Sequence, residues 1–319
     1  MMAPSKQQRG AALIVAILIV TLAASTAAFA IWQQSLWVRQ LENITDRARA
    51  DQLVAGAIDF ARAALKDDKD KTIDTLEEPW ASAIVLPVEE STLSGQLTDE
   101  QGRLNINNLA GANSTPPNAT AKFWLDSFVR LLDDLKVPKA QELASAAADW
   151  VTNDPTGVTD LQYLALNPPY TAPRRPILDV AELARVKGFD AEIIRSIAPF
   201  VTALDATPTA SAAAAPIIPV NVNTASPEVL AAIIQNLTVN DAKNVAKKVP
   251  FKDVATFRAA LPPALLNMAC QNNACDVKSS YFTATVRVKS GRIEAGYTVL
   301  LDRTAGAWPG IKWRKEAAD

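Results

Sequence analysis

Cys270 and Cys275 are the two thiols of a 319-residue chain that contains no histidine. Without imidazole there is no Ser-His-Asp or Cys-His nucleophile system and no HExxH zinc site. Two cysteines with no histidine argue against a zinc site within one chain. Their spacing, Cys270-Gln271-Asn272-Asn273-Ala274-Cys275, is also not the C-x-x-C of a thioredoxin-like centre. In an oxidising compartment the pair reads as a local disulfide that ties the loop before the last strands. The acid–base candidates left are carboxylates, Lys and Tyr, and a carboxylate enzyme needs two paired acids in a cleft. The loop from Asp149 to Tyr163 is rich in oxygen donors. Calcium takes roughly six to eight oxygens from such a flexible loop. The same aspartates serve equally as turn residues in a hydrogen-bonded loop, and both readings stand at this point.

Charge narrows the partners. Lys and Arg number 32 against 34 Asp and Glu, a net charge of −2, whereas polyanion binders usually present a basic surface. Asn223-Thr224-Ala225-Ser226-Pro227-Glu228 reads first as a helix start. Thr224 or Ser226 can cap free N–H groups, Pro227 suits the first turn, and Glu228 favours the positive helix end. The segment also resembles the opening of a helix-hairpin-helix DNA-binding module, but the hairpin after it, Asn236-Leu237-Thr238-Val239-Asn240, has no glycine to meet phosphate. No nucleic acid is expected as a partner.

The elements that would carry these groups begin with an apolar run. Ala11 to Val38 contains no charged residue, and Lys6 and Arg9 precede it without an acid. Twenty such residues span about 30 Å, one bilayer core, and the basic flank keeps the N-terminus cytoplasmic and sends the rest across. Trp32 and Trp37 come next, placed like interfacial anchors. Ala28-Phe29-Ala30 fits the A-x-A site of a cleaved signal peptide, which leaves a secreted enzyme as one alternative. However, the run exceeds the usual h-region of roughly 7–15 residues, and helical character continues. Leu41, Ile44, Ala48, Ala55 and Ile58 recur at helical steps, with Phe60 and Ala64 extending the apolar side. A helix from Ala11 to Leu65 would be about 80 Å long.

Residues 66–79 are charged and read as an exposed loop. Ile84, Leu86 and Val88 alternate like a strand, Leu93 to Asn108 continues the strand character, and Asp99-Glu100-Gln101-Gly102 reads as a turn. Helices are expected over 121–200, including a stripe from Phe123 to Leu135, and again at Ser226–Asn236, Asp241–Lys248 and Asp253–Leu261. Residues near 207–219 are a low-complexity linker. Tyr281–Val288 and Ile293–Leu301 flank a hairpin turn at Ser290-Gly291. The fold class is α+β: a long N-terminal helix packed on an antiparallel sheet, with a large all-helical insertion. The expected division is 1–10, 11–66 for the helix, 67–109 for the first part of the β domain, 110–270 for the helical insertion and 271–319 for the closing strands.

The junction Gln8-Arg9-Gly10/Ala11-Ala12-Leu13 before that helix resembles a type IV pilin or pseudopilin. The resemblance implies a leader cut by a prepilin peptidase after Gly10 and N-methylation of Ala11. Most such proteins carry glutamate as the fifth mature residue, where this chain has Val15. A carboxylate at the centre of a membrane helix costs on the order of 2.5–3.5 kcal/mol, so a subunit with Val15 has no need of a neighbour ahead of it and suits a filament end. Further along, Asp99-Glu100-Gln101-Gly102-Arg103-Leu104-Asn105-Ile106-Asn107-Asn108-Leu109, Asp149-Trp150-Val151, Asn167-Pro168-Pro169-Tyr170, Asp179-Val180-Ala181-Glu182-Leu183 and Val220-Asn221-Val222-Asn223-Thr224-Ala225 resemble, in order, segments of the type II secretion minor pseudopilin K (GspK) family. That resemblance implies a non-enzymatic structural subunit at the tip of the pseudopilus, anchored singly in the inner membrane with its globular part in the periplasm. It would take part in initiating assembly and in protein export. The implied partners are minor pseudopilins I and J, then H and the major pseudopilin G. It also implies a calcium loop, in which Asp149, Asp154 and Asp160 match acidic positions while Thr152 and Thr159 replace two others. A membrane-anchored helix-hairpin-helix DNA-binding protein is the remaining alternative.

The mature protein taken from cell membranes is expected to begin at Ala11, one methyl group heavier than unmodified alanine, and only when the leader peptidase is present. N-terminal sequencing with intact mass checks this; a start at Ile31 would mean an ordinary signal peptide.

Overall fold

The computed structural model describes residues 6–114, 116, 118–153, 163–205 and 217–316. The first element, α1 (Lys6–Lys66), is one helix of 61 residues, about 90 Å long, with no proline to break it. Its apolar side chains from Leu13 to Val38 are exposed, and it is long and apolar enough to cross a membrane. The C-terminal half packs on the sheet through Ala50, Val54, Ile58, Ala61 and Leu65, all buried. This corrects the expected stripe. Of Leu41, Ile44, Ala48, Ala55 and Ile58, only Ile58 is buried. Two neighbouring stripes of this helix share the three- and four-residue steps. The sheet takes the one carrying Ala50 and Ala61, whose small side chains let the backbones approach.

After α1 the chain forms β1 (Ile84–Val88) and β2 (Ser91–Asp99) and leaves the sheet at Asp99. It then enters a separate, mostly helical lobe. This lobe contains β3 (Leu104–Asn105), α2 (Ala119–Asp134), α3 (Ala140–Val151), a 3₁₀ helix at Val180–Arg185, α4 (Ala191–Ile197), β4 (Val201–Thr202), β5 (Val220–Asn221), α5 (Pro227–Ile233), α6 (Val239–Ala246), α7 (Val254–Ala259) and β6 (Cys275–Asp276). The chain returns as β7 (Tyr281–Ser290), β8 (Ile293–Asp302) and β9 (Gly310–Glu316). The main sheet has the order β1-β2-β7-β8-β9 and every pair is antiparallel. So β2 and β7 are neighbours, Asp99 opposite Phe282, although the whole helical lobe lies between them in sequence.

Caps set the helices locally. Asn118, Asp190, Ser226, Thr238 and Asp253 each accept a backbone N–H in the first turn of the helix they precede. Pro227 takes the first helical position, and Ser226 rather than Thr224 is the cap. The helical lobe buries one continuous core. It includes Leu104, Ile106 and Leu109 at one end and Cys275 and Val277 at the other, so the sequence-based divisions at 110 and 270 fall inside this packed unit. The linker expected near 207–219 lies outside the described residues up to 216. The hairpin joining β7 and β8 turns on Gly291 and Arg292, with Ser290 opposite Ile293. Gly291 has φ +56°, and a Cβ there would lie 2.5 Å from Asp46 Oδ2, which accounts for glycine at this position. Strand β9 alternates only briefly, Ile311 and Trp313 against Lys312 and Arg314, and its remaining length is charged, as suits an exposed edge.

Candidate functional site: the helix face, its groove and the neck

The two lobes meet at a polar neck built on the turn 99–102. Asp99 is buried, and its carboxylate accepts hydrogen bonds from Ser279 Oγ at 2.6 Å, Thr224 Oγ1 at 2.6 Å, Asn221 Nδ2 at 3.0 Å and the Gln101 N–H at 2.8 Å. Asn221 Nδ2 also donates to Ser279 Oγ and to the Asp74 carbonyl. Gln101 Oε1 accepts from the Ser280 N–H at 2.6 Å. Gly102 closes the turn against Thr224, where a Cβ would lie 2.8 Å from both the carbonyl oxygen and Oγ1. Glycine is therefore demanded here by close approach. The departing chain at 99–102 is thus tied to the returning chain at 279–280 and to the interior of the helical lobe at 221–224.

The next asparagines along the chain extend the same device. Asn105 Oδ1 accepts from the Leu204 N–H at 2.9 Å, and its Nδ2 donates to the Leu204 carbonyl at 3.0 Å. Asn107 pairs in this way with both backbone groups of Ile177, Asn108 with those of Ile218, and Asn223 with those of Phe251. Each amide replaces one rung of a β-ladder for a buried loop whose backbone groups otherwise lack partners.

Residues 66–79 read as a solvated loop in the sequence, and here the structure differs. Asp74 is fully buried. Arg303, on the loop after β8, reaches Asp74 at 2.9 Å and Asp68 at 3.5 Å and lies over the Phe282 ring. Asp68, Asp74 and Glu78 stand close enough together to share a cation. The Arg303 guanidinium already occupies that role, and Glu78 accepts from the Thr75 N–H and from Trp80 Nε1. Burial raises the Asp74 carboxyl to about 6, against the pull of Arg303 and of the Ser279 N–H. Burial likewise raises Asp99, opposed by its four donors.

Among the described residues, two apolar surfaces remain uncovered. One is α1 from Leu13 to Leu41. The other is a groove of about 970 Å³ between the second half of α1 and the strands β1 and β2, lined by Gly56, Phe60, Ile84, Leu86, Val88 and Leu93. Phe60 is 58% exposed and Leu86 is 46% exposed. Contiguous apolar patches of this kind mark interaction sites. Alternation alone hides the groove, because it makes Ile84-Val85-Leu86-Pro87-Val88 a half-buried strand. The sequence does carry a signal for it. A run apolar on both faces and holding a proline marks an edge strand with more apolar surface than one core can cover.

The other sequence-predicted residues fall in separate places. Gly10, Ala11 and Val15 lie in the exposed first part of α1, and Gly10 has nothing within 4 Å of a built Cβ. Cys270 and Cys275 are joined as a disulfide. It closes the turn that leads into β6, far from the groove in sequence. Asp149 lies in the last turn of α3, its Oδ1 held by Asn113 Nδ2 at 2.8 Å, and burial raises its carboxyl. Asp154 and Asp160 lie outside the described residues. The only described member of that calcium set is thus already engaged by an amide.

Residues 102–206 match the pattern of the family described as Type II secretion system (T2SS), protein K, and residues 220–274 match a second pattern of the same description. Together these cover the helical lobe from the neck glycine onwards. The chain is 30% identical over 254 residues to Type II secretion system protein K of Pseudomonas aeruginosa, spanning 75% of this chain and 71% of that one. It is 27% identical over 311 residues to the protein of that name from Aeromonas hydrophila, spanning 91% of each. Among solved structures, a chain of the GspK-GspI-GspJ complex from enterotoxigenic Escherichia coli superposes with a TM-score of 0.71 at 23% identity, covering 88% of this chain and all of that one. That likeness is one of fold.

The raised carboxyls give a pH dependence. The folded Asp74 value of about 6 lies above the ordinary 3.8, so the folded protein holds the proton more tightly than the unfolded chain. The stability this confers is fully present below the unfolded value and is lost as pH rises through about 6, by about 3 kcal/mol for a shift of this size. Asp99 acts in the same direction. The thermal midpoint of the full chain in detergent is expected to be higher near pH 5 than near pH 8, and Asp74→Asn is expected to flatten that difference. A midpoint that rises with pH over this range would contradict the assignment.

Proposed function

The chain belongs to the type II secretion system protein K family, and from that premise we propose that it is the minor pseudopilin at the tip of the periplasmic pseudopilus, where it helps start assembly. It works by packing, with no catalytic step of its own. Protein K is a component of a secretion machine, and α1 is a candidate membrane anchor. The observation that carries the reading is α1 itself. One unbroken helix is apolar and uncovered along its first half, then rides on a sheet that leaves an apolar groove beside it. A helix with such a face belongs against other helices, in the inner membrane first and in a filament afterwards. Val15 in place of a buried carboxylate removes the demand for a charged partner ahead of it, which supports an end position.

The related chain of known structure was crystallised with GspI and GspJ. By that likeness, minor pseudopilins I and J are the first partners here, and H and the major pseudopilin G come after them along the filament. The groove between α1 and β1–β2 is the surface best suited to receive one of them. The prepilin peptidase would act at Gly10/Ala11 before assembly, with the globular lobes on the periplasmic side and Lys6 and Arg9 left in the cytoplasm. Calcium at Asp149, Asp154 and Asp160 is a secondary proposal, carried by the resemblance alone.

A cell lacking this gene is expected to lose export of its type II cargo and to regain it with the intact gene. The double change Phe60→Glu with Leu86→Glu, on exposed side chains that line the groove, should leave the thermal midpoint within a few degrees and reduce export at least tenfold. Full export by that variant would overturn the groove as the partner surface.

A further inference from the structure

A second cavity, of about 310 Å³, lies between the lobes on the sheet face opposite α1. Its sheet wall carries Thr98, Thr283, Thr285 and Thr298. These form two opposed pairs in the ladder, Thr98 with Thr283 and Thr285 with Thr298. None of the four hydroxyls has a hydrogen-bond partner among the described residues, and Thr283 is buried. Trp313, from β9, completes this wall, and its indole N–H is buried and finds no acceptor among the described residues. Buried polar groups are normally paired and this indole N–H is not, while the four hydroxyls beside it open onto the cavity, so a ligand or ordered water that enters meets five polar groups without protein partners.

The chemistry of the walls selects the ligand. The charged groups at the cavity are satisfied within the protein: Glu100 pairs with Arg103 at 3.2 Å and accepts from Thr202 at 2.7 Å, and Lys315 of β9 pairs with Asp179 across the cleft. No net charge is left for an ionic ligand. A peptide strand has no edge to join, because β7 lies between β2 and β8 with its ladder complete on both sides. An apolar ligand would bury the hydroxyls unpaired. What remains is a neutral molecule with several hydroxyls of its own. The volume is at the small end for ligand pockets, roughly 300–1,000 Å³. We propose that this cleft between the two lobes binds a small neutral saccharide unit through the hydroxyls of Thr98, Thr283, Thr285 and Thr298 and the indole N–H of Trp313.

Ligand-observed saturation-transfer NMR tests this on the full chain, held in a detergent without a sugar headgroup. Two probes are used: N,N′-diacetylchitobiose, the chemistry of a cell-wall glycan, and maltose, that of an unacetylated hexose. A saturable response to either supports the site and tells the two sources apart. Thr285→Val with Thr298→Val, and separately Trp313→Phe, should each weaken binding roughly tenfold, the effect of one or two lost hydrogen bonds, with the thermal midpoint unchanged. No saturable response to either probe at millimolar concentration overturns the proposal, and so does a response that survives both variants.

Discussion

Asp99 ends β2 at the point where the chain leaves the sheet, and its carboxylate is buried among four hydrogen-bond donors without an ion-pair partner among the described residues. Taking a carboxyl group out of water is costly, which is what raises Asp99, and each hydrogen bond that it accepts offsets part of that cost. The site is therefore stable only when all the donors arrive together. They come from Gln101 beside it, from Asn221 and Thr224 deep in the helical lobe, and from Ser279 on the returning chain. Forming the neck correctly thus requires the inserted lobe to have folded and both its ends to have come together. Everything beyond depends on this. It sets the register of β2 against β7, on which α1 packs, and it orients the helical lobe over the opposite sheet face.

How much of this is legible in the sequence depends on the range of the interactions. Helix α1 can be read because apolar character and periodicity are local. The hairpin of β7 and β8 can be read because Gly291 and the flanking β-branched residues lie within a few positions of one another. The caps at Ser226, Asp190 and Asp253 obey near-neighbour rules as well. The asparagines at 105, 107, 108, 221 and 223 stand out in the sequence only as pieces of a family pattern. Their partners Leu204, Ile177, Ile218 and Phe251 lie up to 110 residues away, and no periodicity marks such a pairing. The charged stretch 66–79 misleads for the same reason. Asp74 looks solvated until Arg303, 229 positions later, is brought beside it.

The uncovered surfaces make sense once the two lobes are taken separately. The sheet and α1 form a small lobe with more apolar area than it can cover, along the first half of the helix and in the groove beside β1. The helical lobe has a core of its own and clamps its loops with amide side chains rather than with longer strands. Such a division suits a subunit that joins a filament through one lobe while the other stands clear of the shaft. The cleft between the lobes lies on the opposite side of the sheet from the packing face, so occupancy of one does not obstruct the other.

The central claim is that α1 and its groove receive a neighbouring pseudopilin. Gly56 lies in the groove with open space around its Cα, and the chain's own cysteines are already joined to each other, so Gly56→Cys introduces a single reactive thiol. In membranes from cells that express this variant with partner I carrying single cysteines along its own N-terminal helix, mild oxidation is expected to give a cross-linked heterodimer. Its yield should repeat every three to four positions along that helix. Absence of the heterodimer at every position, or cross-linking only between copies of this chain, would contradict the account.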